Sequence, residues 1–97
     1  MLRMKNPAHP GELIRETLEE LGVSISDAAN ALGVTRQQLH NVVAARSDIT
    51  TEMALRLEKA LGSTADTWLR MQVNYNLAKA RKKTSSLKVK RIEPKVA

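Results

Sequence analysis

Ninety-seven residues, 42% of them apolar with one Trp and one Tyr, allow one small domain with a modest core of Leu, Ala, Val and Met. The absence of cysteine excludes disulfides and thiolate metal sites and makes a reducing compartment the natural setting. The net charge of +6 divides unevenly: residues 1–78 hold eight basic and nine acidic side chains, net −1, whereas residues 79–97 hold eight basic and one acidic, net +7. A near-neutral body with a basic end marks a nucleic-acid contact, or simply a well-solvated tail. No apolar run approaches the ~20 residues of a bilayer span, and the opening MLRMKNPAHPG lacks the apolar centre of a signal peptide. A cytoplasmic protein with no membrane partner is expected.

Residues 1–9 read as an N-terminal arm bearing Arg3 and Lys5. Pro7 and Pro10 discourage an earlier helix start, and Pro10 suits a first helical turn. The pattern predicts a helix over 10–21, with Ile14, Leu18 and Leu21 on one stripe and Leu13 beside it. Its outer face sets Glu12, Glu16, Glu19 and Glu20 against Arg15 alone. Plain solvation accounts for each glutamate singly, but together they make a poor DNA surface and a suitable one for a basic protein partner. Glu12, Glu16 and Glu19 are the candidate contacts. Gly22 ends the helix.

Residues 24–46 read SISDAANALGVTRQQLHNVVAAR. Ile25, Ala28, Ala29 and Leu32 fall at i, i+3, i+4 and i+7, an apolar helical stripe started by a capping box of Ser24 and Asp27 and stopped by Gly33. Thr35 with Gln38 starts a second helix whose inner residues are Leu39, Val42 and Val43. Two short capped helices joined by a glycine turn form a helix-turn-helix pattern. On the outer face of the second helix lie Gln37 and Asn41, with Ala44 between, His40 on one flank, and Arg36 and Gln38 near the start. Amides can bond adenine at N6 and N7, and arginine can bond guanine at O6 and N7. An ordinary solvated helix would carry Glu and Lys there, and no acidic residue occurs between Thr35 and Ser47. The stretch is therefore read as the DNA-binding element.

Residues 47–50 make a polar loop before a helix over 51–61, with Met53, Ala54, Leu57, Ala60 and Leu61 inward. Gly62 stops it, and Ser63 with Asp66 caps a fifth helix over about 64–80. That helix has two opposed apolar stripes: Trp68, Met71, Tyr75 and Ala78, and Leu69, Val73, Leu77 and Ala80. A helix apolar on two sides is buried on two sides. The second side meets either another subunit or the chain's own tail, and Leu69, Val73 and Leu77 are the candidate homodimer interface.

Residues 81–97 form a basic tail, opening with Arg81, Lys82, Lys83 and a turn-like TSS at 84–86. LKVK over 87–90 alternates as a short C-terminal strand would, and a lone strand either pairs with its copy or stays disordered. The chain offers little for catalysis: His9 and His40 have no partner at a metal-ligand spacing, and the four glycines bound helices rather than cradle a phosphate. Neither an enzyme, a metal site nor a cofactor is expected.

The predicted architecture is an all-α five-helix bundle with a helix-turn-helix over residues 10–80, similar to the phage-repressor or XRE family and its lambda repressor-like DNA-binding domain. HPGEL at 9–13, GVT at 33–35, LGST at 61–64, and WLRMQ at 68–72 with Asn74 and Tyr75 resemble the HigA antitoxins more specifically. The resemblance covers about residues 7–78. It implies a dimeric repressor that binds double-stranded operator DNA, represses its own operon, and neutralises a HigB-like, ribosome-dependent mRNA interferase. Carried onto this chain, it implies base readout by Arg36, Gln37, Gln38 and Asn41, with Thr35 and Arg46 on phosphates. The alternative is a stand-alone phage or mobile-element repressor with no toxin partner.

Overall fold

A computed structural model describes residues 7–96, so Arg3 and Lys5 of the expected arm lie outside the described residues. Five α-helices follow one another: α1 Pro10–Leu21, α2 Ile25–Leu32, α3 Arg36–Val43, α4 Thr51–Leu61 and α5 Ala65–Arg81. Each starts on a side-chain cap. The His9 ring, Ser24, Thr35, Thr50 and Thr64 each accept a hydrogen bond from a first-turn N–H that has no helical partner. The reciprocal box is complete at α3, where Thr35 Oγ1 accepts from Gln38 N and Gln38 Oε1 accepts from Thr35 N. At α2 only the Ser24 half forms, because the short Asp27 side chain makes no return bond. The cap of α5 is Thr64, accepting from Thr67 N, instead of the expected Ser63.

The inward stripes meet in one core, with Ile14, Leu39, Ala54 and Leu57 fully buried. Helix α1 packs on α3 and α5, α2 on α3 and α4, and α4 on α5. The approach of α1 to α3 depends on Gly11, where a Cβ would overlap the Val42 carbonyl oxygen. Gly33 closes α2 in the left-handed region (φ 73°), and a Cβ there would also sit 2.8 Å from Arg56 Nη1. Arg56 reaches across from α4, donates to the Leu32 carbonyl at 2.8 Å and pairs with Glu52 at 2.7 Å. A cation at a helix C-terminus complements the partial negative charge there.

Other expectations change as well. Leu21 and Ala60, both expected inward, are exposed, Leu21 by 61%, because the last turns of α1 and α4 run past the core. Ile49, in the loop read as polar, is buried. No strand forms among the described residues: residues 84–86 make a short 3-10 turn, and the alternating segment after it has no ladder partner within the chain.

Candidate nucleic-acid interface

The outer face of α3 stands clear of the bundle. Leu39 and Val42 turn inward and are buried, while Thr35, Arg36, Gln37 and Gln38 are exposed and His40 and Asn41 are half-buried on the flanks. Gln37 Nε2 donates to Asn41 Oδ1 at 2.9 Å across one helical turn. The pair thereby offers Gln37 Oε1 as an acceptor next to Asn41 Nδ2 as a donor, the complement of the N6–H and N7 edge of adenine. The bond also holds both amides in one arrangement, which lowers the entropy lost when they meet a base. Arg36 opens the helix with its guanidinium exposed.

Gln38 differs from the expectation for a base reader. Its Oε1 is engaged by the capping box, so only Nε2 remains for an outside partner. Thr35 Oγ1 accepts within the same box and keeps its hydroxyl proton, which suits a phosphate oxygen.

After α3 the chain turns sharply. Ala45 has φ 60°, a left-handed conformation disfavoured for alanine, and the Arg46 and Ser47 amides both donate to the Asn41 carbonyl, at 2.8 and 3.2 Å. The exposed Arg46 is thus fixed to the end of α3. The loop is also held from behind by α5. Gln72, buried, accepts from Ile49 N at 2.8 Å and donates to Asn76 Oδ1 at 3.1 Å, and Asn76 donates to Asp48 Oδ2 at 2.9 Å. This hydrogen-bonded series engages the carboxylate of Asp48, and the other carboxylate close to the start of α3, Glu52, is paired with Arg56. Sequence reasoning missed the series, although Gln72 sits four residues after Trp68 on the buried stripe, where a polar side chain signals a partner.

His9 anchors the other end of the same region. Its Nδ1 accepts from Gly11 N at 2.9 Å, and its ring meets Tyr75 edge-on at 4.9 Å. Nε2, which carries the proton of the neutral ring, is buried without a hydrogen-bond partner among the described residues. Burial holds the His9 pKa below its ordinary 6.5, a shift reinforced by Lys79 and opposed by Asp48, the Ser47 backbone and Glu12.

Glu12, Glu16 and Glu19 are exposed along α1. Val73 and Leu77 are 51% and 41% exposed on α5, whereas Leu69 is half-buried and packs partly on the chain's own core. Among the described residues, no cluster of His, Asp or Glu could hold a metal ion.

The helix-turn-helix family model matches residues 14–68. Virulence-associated protein A′ of Dichelobacter nodosus is 44% identical over 77 residues, 78% of this chain and 67% of that protein. Among solved structures, the antitoxin GraA in complex with its operator superposes with a TM-score of 0.82 at 33% identity, covering 97% of this chain and 98% of that one. The Pseudomonas aeruginosa antitoxin HigA, solved with the higBA promoter, gives a TM-score of 0.80 at 33% identity over 94% of this chain and 100% of its own.

Proposed function

This chain belongs to the helix-turn-helix family and, within it, to the HigA-type antitoxins, a DNA-binding and non-enzymatic kind; from that premise we propose how it works. It is the antitoxin of a type II toxin–antitoxin pair. As a homodimer it binds the operator of its own operon and represses it, and it neutralises a HigB-like toxin that cleaves mRNA on the ribosome. The operator-bound relatives support the first activity. Among the described residues no helix is long and apolar enough to cross a membrane, and the protein works in the cytoplasm beside the ribosome.

The observation that carries the DNA reading is the coupled Gln37–Asn41 pair on an outward face without carboxylates. In the major groove this pair reads adenine, Arg36 reads guanine, and Thr35 and Arg46 grip phosphates, with Gln38 Nε2 and His40 at the edges of the contact. Leu69, Val73 and Leu77 join two copies so that two α3 helices reach half-sites about one DNA turn apart, ~34 Å. Glu12, Glu16 and Glu19 face the toxin, because a protein that works on ribosomal RNA needs a basic surface. Residues 79–97, net +7, add sequence-independent attraction to DNA. Deleting residues 84–97 removes Lys88, Lys90, Arg91 and Lys95 and should flatten the dependence of affinity on salt by about 0.9 log–log units per lost phosphate contact. An unchanged slope would remove the tail from DNA.

The experiment for the function has two arms. Fluorescence anisotropy should show tight binding to the DNA upstream of the operon and weaker binding to a scrambled duplex. Untagged co-expression with the toxin reading frame should yield a stable complex and restore growth. Operator binding without a complex would instead identify a stand-alone repressor.

A further inference from the structure

One apolar feature lies away from the recognition helix. The last turn of α1, the turn after it, α2 and the end of α4 enclose an open groove of about 150 Å³, walled by Leu18, Leu21, Val23, Ala31, Ala60 and Leu61. Leu21 at its rim is 61% exposed and Val23 37% exposed, and among the described residues nothing covers either. Two exposed aliphatic side chains beside a concave apolar wall are the form of an anchor pocket for a partner's side chain. The groove's lining includes no residue of α3 or of the loop after it.

Charge identifies the occupant. Residues 10–32, which supply most of the wall, carry Glu12, Glu16, Glu19, Glu20 and Asp27 against Arg15 alone, net −4. Glu19 and Glu20 share the last turn of α1 with Leu18 and Leu21. From the α4 side the groove is flanked by Lys59, next to Ala60, and by Arg56, whose charge is paired with Glu52. A second copy's α1–α2 face would bring like charges together, and a basic surface would find complementary ones.

We propose that this groove is the anchor site for the toxin, which inserts one large apolar side chain between Leu21 and Leu61 while basic groups around it meet the α1 glutamates. The inference rests on the antitoxin reading and adds the place and chemistry of the contact. It assigns affinity to the apolar anchor and speed of association to the acidic rim. It also leaves α3 free, so one chain can hold toxin and operator at once.

The test uses the full chain and the purified toxin encoded beside it. Leu21→Lys places at the rim a cation of the same sign as the basic partner without touching the core, and Ala31→Trp fills the groove without altering charge. Each variant should lose about 30-fold or more in toxin affinity by calorimetry, with operator affinity and unfolding midpoint unchanged. If the native chain binds toxin and both variants bind it equally well, the groove is not the site and the antitoxin reading stands. If the native chain binds no toxin, that reading falls and takes the groove with it. A change in the protein's own oligomeric mass, with toxin affinity intact, would assign the groove to a second copy and overturn the proposal.

Discussion

Helices α1 and α3 pack against each other in one core, and their inward faces are built alike. Ile14 and Leu18 on the one and Leu39 and Val42 on the other are buried aliphatic side chains. Their outward faces differ in kind: four glutamates and one arginine on α1, and an arginine, amides and a histidine on α3. Their starts differ as well. A buried imidazole caps α1, whereas an exposed threonine in a reciprocal box caps α3. In a domain this small, burial takes one side of each helix and leaves the other to define function. The acidic face repels phosphate and the face of amides and an arginine admits it, which is the basis for proposing a protein-binding side and a DNA-binding side on a single chain.

The largest effect should come from leaving α3 without its counterpart in a second copy. Val73→Glu sets a carboxylate in the exposed stripe of α5. It should give a monomer of normal helical content by sedimentation and circular dichroism. Operator affinity should fall by about 10²–10⁴, the avidity lost when two half-sites are no longer held together. A variant that sediments as a normal dimer would place the interface elsewhere.

The helices were legible because each carries an apolar stripe at three- and four-residue spacing. Of the caps, Ser24 and Thr35 were legible, whereas the His9 and Thr50 caps were not and Ser63 gave way to Thr64. That the α3 face of amides and an arginine points outward was legible for the converse reason, since its residues are those an ordinary solvated helix does not choose. What was not legible depended on contacts far apart in the chain. Ile49 lies in an otherwise exposed polar loop, and its burial goes with the approach of Gln72 from α5, 23 positions on. Gln38 has a base reader's side chain, but its oxygen is engaged locally by the cap. Leu21 continues the periodic stripe beyond the point where the core ends. Periodicity reports which side of a helix faces inward and says nothing about how far the neighbouring helices extend.

The next effect separates the α3 loop from its support. Gln72→Ala leaves the buried Ile49 N–H without its acceptor and removes the donor that holds Asn76 Oδ1, and with it the support of Asn76 against Asp48. Unfolding free energy should drop by about 1–3 kcal/mol in denaturant titration, with a loss on DNA that is similar for operator and random sequence, as expected for a displaced phosphate loop. Full stability in the variant would mean that the network is not sustained in solution.

A smaller effect distinguishes the two caps by pH. The His9 pKa is lowered in the folded chain, so between 6.5 and that lower value the unfolded chain binds a proton that the folded chain does not. Stability should therefore be complete above pH 6.5, begin to fall below it, and level off only below the folded value. His9→Asn keeps a capping oxygen without a titrating ring and should flatten the thermal midpoint across that window. An equal slope in the variant would assign the acid sensitivity to the carboxylates. The α3 start, capped by a hydroxyl, should not respond.

The contrast between the two faces depends above all on α3 reading bases. Gln37→Ala and Asn41→Ala, titrated against the operator and a random duplex at several salt concentrations, test this directly beside Arg46→Ala. The amide variants should lose about 1–3 kcal/mol of discrimination among operator variants while binding random DNA almost as before. Arg46→Ala should weaken both duplexes by a similar factor and flatten the salt dependence. If Gln37→Ala and Arg46→Ala lose the same factor on operator and random DNA alike, the outward face of α3 does not read sequence.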